Sequence, residues 1–266
     1  MVILLNYKIP ITKSIEYDCS RHINILLAGS RGMGKSWFGI YLILKLAQLK
    51  LSTQIYAIDY KQSDISRLKE ILPEDRVAIS KEEIFSVLEN FVTLMKARAE
   101  YVNKNTEFGS TANDLGMPLF YLIYDEFGAF TQTLSTKEKK YHDDLISQIV
   151  LLGRQYNFGL LAIMQQASVG NSGLNSSIKE QFGLIAHMGS ASSAAYRQTF
   201  GESIEVPDIK LERGHGFIWM QELTTNGNVY PFSAPDLSGI NLWDIFQKSF
   251  SDQKTDDYLT MIEVKQ

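Results

Sequence analysis

Gly29-Ser30-Arg31-Gly32-Met33-Gly34-Lys35-Ser36 is the stretch around which the rest of the chain is arranged. It has the spacing G-x-x-x-x-G-K-[ST] of a phosphate-cradling P-loop. An apolar run, residues 23–28, enters it, and Trp37, Ile40, Tyr41, Leu44 and Ala47 follow at helical intervals of three and four. Strand, glycine loop and helix therefore succeed one another. The glycines let the backbone wrap an anion, and the free N–H groups at the helix start face it. Gly29, Ser30, Arg31, Gly32, Met33, Gly34, Lys35, Ser36 and Trp37 are the expected nucleotide contacts. Lys35 would reach the β- and γ-phosphates of a bound nucleotide, and the Ser36 hydroxyl would ligate Mg²⁺.

Composition sets the class. At 266 residues, 45% hydrophobic and 21% charged, the chain has an ordinary globular balance with ample core. A single cysteine, Cys19, cannot form an internal disulfide. His22, His142, His187 and His215 have no metal-ligand spacing. The longest apolar pattern, residues 38–49, carries Lys45 and is shorter than the ~20 residues that span a bilayer. A cytoplasmic location is expected. A net charge of −4 gives no global basic field, so nucleic-acid contacts would have to come from a local lining.

Further along, residues 54–58, 119–124, 160–164, 184–188 and 216–220 read as apolar strands, with residues 229–232 as another. Helical patterns separate most of them. The clearest starts at Ser80 with Glu83 three residues on, a capping box. Its apolar stripe is Ile84, Leu88, Phe91 (or Val92), Met95 and Ala99, with Lys96, Arg98, Glu100 and Lys104 expected mostly off it. Residues 105–117 and 170–177 read as loops. The expected architecture is α/β, a mostly parallel central sheet flanked by helices. A short β lead-in (1–20) would precede the main domain (21–235), and a tail (236–266) would follow.

A P-loop needs a carboxylate partner. Residues 120–126, Phe-Tyr-Leu-Ile-Tyr-Asp-Glu, form an apolar strand ending in two acids. In a parallel sheet that end shares an edge with the P-loop. Asp125 would organise Mg²⁺ with Ser36, and Glu126 would act as general base on the attacking water. Gln165, at the end of the following strand and expected between the phosphate and carboxylate strands, could sense the γ-phosphate or orient water, with a surface glutamine as the ordinary alternative. Asp59 and Lys61 lie on the same edge, where a loop ion pair explains them equally well. Arg154 and Arg197 are candidate arginine fingers, although a solvated helical arginine is the ordinary alternative.

With these pieces in order, the chain resembles the motor domain of the FtsK/SpoIIIE family of DNA translocases, in the wider FtsK–HerA group. HINILLAGSRGMGKS (22–36) resembles that family's lead strand and Walker A segment, and FYLIYDEFGAF (120–130) its Walker B. YAIDYK (56–61) resembles its Ile-Asp-Pro-Lys strand end, with Tyr60 in place of proline. LMKARAEY (94–101) stands where the family has a basic helix. GRQYNFGLLAIMQQAS (153–168), SSAAYRQTFGES (192–203) and RGHGFIWM (213–220) resemble its later motifs, with Gln166-Ala167 replacing Arg-Pro.

The resemblance implies a RecA-like P-loop NTPase that hydrolyses ATP with Mg²⁺ and moves DNA without sequence preference. It implies a homo-oligomeric ring, expected to be a hexamer, in which Arg154 and Arg197 act on a neighbouring subunit and Gln165 is the sensor. Candidate DNA contacts are the 105–117 loop and Lys137, Lys139 and Lys140. The family's membrane helices, long linker and winged-helix reader are not read in this sequence. The expectation is a stripped motor serving a plasmid, phage or integrative element. Two other readings stay open: a coupling ATPase delivering single-stranded DNA or nucleoprotein, and a slow, nucleotide-gated assembly module.

Overall fold

The alternating pattern folds into an eight-stranded sheet in the order β10-β9-β8-β3-β7-β6-β4-β5. In this computed structural model the described residues are 7–49, 53–165, 174, 176–221, 228–250, 253 and 258–260. The apolar run at 2–5, the turn at Gly227, Gln166-Ala167 and most of the 170–177 loop lie outside them. The strands are β1 (Lys8–Pro10), β2 (Glu16–Asp18), β3 (Asn24–Gly29), β4 (Gln54–Asp59), β5 (Val77–Ala78), β6 (Phe120–Asp125), β7 (Phe158–Met164), β8 (Phe182–Met188), β9 (His215–Met220) and β10 (Tyr230–Ser233). The strands from β5 across to β8 run parallel, while at one side β9 runs antiparallel to both β8 and β10. β1 and β2 form a separate antiparallel pair.

The helices are α1 (Lys35–Ala47), α2 (Lys81–Asn105), α3 (Phe127–Thr131), α4 (Thr136–Leu152), α5 (Ser176–Lys179), α6 (Ser193–Phe200) and α7 (Leu242–Ser249). Because side chains alternate along a strand, each inner strand feeds two cores. Ile25 and Leu27 face one, packed with α1, the β1–β2 pair and Phe246 and Phe250 from the C-terminal end. Leu26 and Ala28 face the other, packed with α2, α4 and α6. Covering on both faces explains why these strands are apolar throughout, each buried side chain contributing about 2 kcal/mol.

α1 forms where the helical pattern was read, with Tyr41, Leu44 and Ala47 buried alongside Phe38, Leu42, Ile43 and Leu46, while Trp37 at its start is 45% exposed. One expectation about side-chain placement is overturned. Arg98, expected off the stripe of α2, is wholly buried. Its guanidinium donates to the carbonyls of Pro118 (2.7 Å), Tyr156 (3.1 Å), Tyr258 (2.7 Å) and Leu259 (2.8 Å) and lies against the rings of Phe120 and Phe158. Carbonyl dipoles and aromatic faces substitute for water there.

Candidate active site

The parallel register delivers the candidate residues to one sheet edge. Ala28 pairs with Met164, Gly29 with Met188 and Asp59 with Asp125. The P-loop therefore leaves β3 between Gln165, just past the end of β7, and Gly189, just past the end of β8. The backbone turns sharply there, with φ of 81° at Gly32 and 97° at Gly34. Side chains disfavour that region, which is the local reason for glycine. Neighbouring backbone braces the loop from outside, Gly214 N–H donating to Met33 O (3.0 Å), and the first turn of α1 closes on it as Phe38 N–H donates to Gly34 O (3.0 Å). A Cβ on Gly189 would meet Met33 side-chain atoms at 2.4–2.7 Å, so β8 ends in glycine where the loop passes.

Lys35 is buried, and its ammonium lies 3.5 Å from Glu126 Oε1. Burial lowers its pKa, and the charges of Glu126 and Asp125 oppose that. Glu126 is the junction of the site. Its Oε2 meets Lys61 Nζ at 3.1 Å, and its Oε1 accepts from Gln165 Nε2 at 3.1 Å. Burial pushes the carboxyl up, but Lys35, Gln165 and Lys61 outweigh it, leaving it below the ordinary carboxylate value. The residue sits at φ 51°, ψ 44°. This left-handed conformation costs a non-glycine residue about 1 kcal/mol and turns its side chain away from the path of β6.

Asp125 is held differently. Its Oδ1 accepts from the Glu126 N–H (3.0 Å), and its Oδ2 lies 3.1 Å from Ser63 Oγ. The same hydroxyl and two backbone N–H groups serve Asp59 Oδ2, while Asp59 Oδ1 is buried without a hydrogen-bond partner. Burial, followed by the charges of Asp59 and Glu126, raises Asp125 to about 6. Asp125 and Asp59, one of whose oxygens is unsatisfied, are hard oxygen donors of the kind Mg²⁺ takes, although no cluster of three or more metal-ligating side chains occurs among the described residues. Ser36 and Asp125 are the residues that would hold it.

Trp37 stands between two cavities. One, of about 320 Å³, lies against Ser36, Ile40, Leu68 and Trp243, with the Arg67 guanidinium 4.9 Å from the Trp243 ring centroid. The other, of about 430 Å³, opens beside Gly34, Arg213, His215 and Asp236.

Arg154 and Arg197 are not brought to this edge. Arg154 lies in the 3-10 turn Gly153–Tyr156 that precedes β7, at the opposite end of the strand from Gln165. Seven strand residues separate the two ends, about 23 Å at 3.3 Å per residue. Arg197 is half exposed on α6 and pairs with Glu202 at 3.5 Å. Lys139 lies in the first turns of α4, paired with Asp143. What the sequence missed is mostly support. Ser63 and Gly189 had no motif to mark them, and Lys61 was visible only as a charge near a strand end.

An inner parallel sheet, a P-loop at the end of β3, an acidic pair at the end of β6 and β7 between those strands define the RecA-like P-loop ATPase fold. Within that class the chain is similar to an FtsK domain-containing protein. It is 28% identical over 232 residues to the FtsK domain-containing protein YdcQ of Bacillus subtilis (strain 168), covering 86% of this chain and 46% of that protein. It thus spans under half the length of that relative. No protein-family model matches. Among solved structures it is similar to the pCW3 conjugation coupling protein TcpA, monomer form with ATPγS (TM-score 0.69, 16% identity, 91% of this chain and 69% of that one). It is also similar to the cytoplasmic domain of the Thermomonospora curvata type VII secretion ATPase EccC (TM-score 0.68, 18% identity, 98% and 33%). At these identities the two structures speak for the fold.

Proposed function

We propose that this chain is an Mg-ATP-dependent DNA translocase that works as a homo-oligomeric ring, a hexamer on the family pattern, in the cytoplasm. The observation that carries the hydrolytic part is the position of Glu126, held by Lys35, Lys61 and Gln165 at the mouth of the P-loop. In the loaded site Lys35 turns to the β- and γ-phosphates, and Glu126 takes the proton of the attacking water. Gln165 and Lys61 keep its carboxylate aimed. Bound Mg²⁺ would neutralise charge on the phosphates. Trp37 offers an exposed aromatic face next to the phosphate site.

DNA as cargo is supported by the likeness to the FtsK domain-containing YdcQ, and a mobile-element setting by the fold shared with a conjugation coupling protein. That second likeness also favours a competing reading, a coupling ATPase that delivers single-stranded DNA or nucleoprotein. The fold itself does not choose cargo, since EccC carries it too.

The test is ATPase rate against added DNA of defined form. A translocase is stimulated by duplex at low salt and loses that stimulation steeply as salt rises. Stimulation by single strands alone would favour the coupling reading, and none by either would remove DNA as the cargo. Glu126→Gln should abolish turnover and keep nucleotide binding. An assembly module would work normally with it.

A further inference from the structure

The far edge of the sheet carries a cavity of about 450 Å³ lined by Ser20, Arg21, His22, Thr111, Asn113, Arg154 and Gln155. Three chain segments build it, and backbone geometry fixes each. Gly153 packs so close to the Phe158 carbonyl that a Cβ would stand 2.1 Å from that oxygen, which sets the turn presenting Arg154. Gln155 O accepts the Ala112 N–H at 2.9 Å, tying the 111–113 segment to the same turn. The carbonyl of His22 accepts the Tyr17 hydroxyl, holding the third segment. The lining contains two arginines and a histidine, and Arg21 Nε pairs with Asp18 at 3.9 Å. The carbonyl side of Asn113 is buried without a hydrogen-bond partner. Leu151 and Leu152, each 51% exposed, lie just before the turn.

The position of this pocket is informative. Residues 20–22 precede β3 and residues 153–156 precede β7, so the pocket is at the end of the sheet opposite the P-loop. A phosphate site at one edge and a cationic pocket at the other are the two halves that a head-to-tail contact between copies would bring together. Such heterologous contacts close into rings.

Resting on the reading above, we infer that Arg21 is a second trans-acting cation. With Arg154 it would receive the terminal phosphates of the nucleoside triphosphate bound to the P-loop of the neighbouring copy. Two guanidinium groups in one cavity match the equatorial oxygens of a transferring phosphoryl group, and Arg21 supplies charge that a lone finger lacks. The half-exposed leucines give the adjoining copy an apolar rim.

Complementation between variants of the full chain tests this. Lys35→Ala empties a copy's own P-loop, whereas Arg21→Ala damages only the site of its neighbour. Each alone should lose at least about tenfold in ATPase rate. An equimolar mixture should regain activity, because roughly a quarter of head-to-tail interfaces then combine an intact Lys35 with an intact Arg21. Arg21→Ala should also weaken ATPγS-driven assembly by sedimentation at an unchanged melting temperature. The parallel mixture of Arg154→Ala with Lys35→Ala separates the two ideas. If that mixture is rescued and Arg21→Ala keeps the wild-type rate, or is not rescued, the role of Arg21 falls and the shared site stands. If neither mixture recovers, the shared site falls and Arg21's role with it. Loss of DNA affinity with ATPase and assembly intact would reassign the pocket to DNA backbone and overturn the inference.

Discussion

Gln165 Nε2, just past the end of β7, donates to Glu126 Oε1, just past the end of β6, at 3.1 Å. The bond links the proposed base to the strand lying between it and the P-loop, and Gln165 is among the groups that hold the Glu126 carboxyl below its ordinary pKa. Gln165→Leu removes this donor. The expected result is a fall in kcat of about tenfold, the worth of one charged hydrogen bond, with nucleotide affinity little changed. The sign of the pH effect follows from the same contact. Without Gln165 the carboxylate loses a stabilising donor, its pKa rises, and the acid limb of the kcat profile moves to higher pH. A uniform rate loss with no movement of that limb would argue against a base oriented by Gln165.

Gly189 tests how tightly the phosphate loop is braced. Its φ is 79°, and an added Cβ would fall within 2.7 Å of three Met33 side-chain atoms. Gly189→Ala should therefore push on the P-loop as well as strain its own backbone, for about 1–2 kcal/mol in total. ATPγS affinity measured by calorimetry should weaken by roughly tenfold, while Glu126 and its partners stay in place. Unchanged affinity would show that Met33 yields freely and that the loop is not braced from β8.

Much of this was legible beforehand, for identifiable reasons. β3, β4, β6, β7 and β8 are apolar because both faces are covered, and their polar ends, Asp59, Asp125-Glu126 and Gln165, stand out against that background. The capping box read at Ser80–Glu83 is formed, and Ser135–Glu138, read only as a polar segment leading into a helix, forms a second one. The expected place of Gln165 between the phosphate and carboxylate strands is what the sheet shows, with β7 between β3 and β6, and that order decides which residue faces Glu126. The left-handed φ of Glu126 was hidden, because a glutamate gives no signal of it. Buried arginines were the plainest failure. A charge inside α2 is read as solvated, and only the tertiary structure supplies the carbonyls that make Arg98 cheap to bury.

Arg98 also predicts how the C-terminal residues contribute to stability. Its guanidinium joins α2, the entry to β6, the turn before β7 and the 258–259 segment. Arg76 does similar work, donating to Gln54 (2.8 Å) and Gln253 (3.0 Å) from beneath Tyr56. Arg98→Met strands several buried carbonyls and should cost about 3–5 kcal/mol. The melting temperature should fall by roughly 5–15 °C, and Arg98→Lys should not rescue it, because an ammonium cannot serve carbonyls in that planar fork. A melting temperature within a degree or two of wild type would mean that these bonds are replaced by water at little cost.

His187 gives a prediction about acid. It is buried on β8, and its Nδ1 lies 3.0 Å from Thr199 Oγ1. The Thr199 hydroxyl already donates to Ala195 O at 3.0 Å, so its oxygen is left to accept, and the imidazole proton must sit on Nδ1. Nε2 is then a bare lone pair, buried without a partner. Burial, and after it the Lys35 charge, lowers His187 to about 4. The unfolded chain, with a histidine near 6.5, binds the proton first. Stability from this neutral ring is thus complete above about pH 6.5 and is lost progressively as the pH falls toward 4, on the order of 3 kcal/mol in all. His142 acts in the same direction, its pKa lowered by burial against the opposing pull of Asp143. Unfolding free energies from denaturant titration should therefore fall between pH 6.5 and 4. The fall should be smaller in His187→Gln, whose amide can keep the donor to Thr199 but cannot take up a proton. An equal decline in wild type and variant would place the acid sensitivity elsewhere.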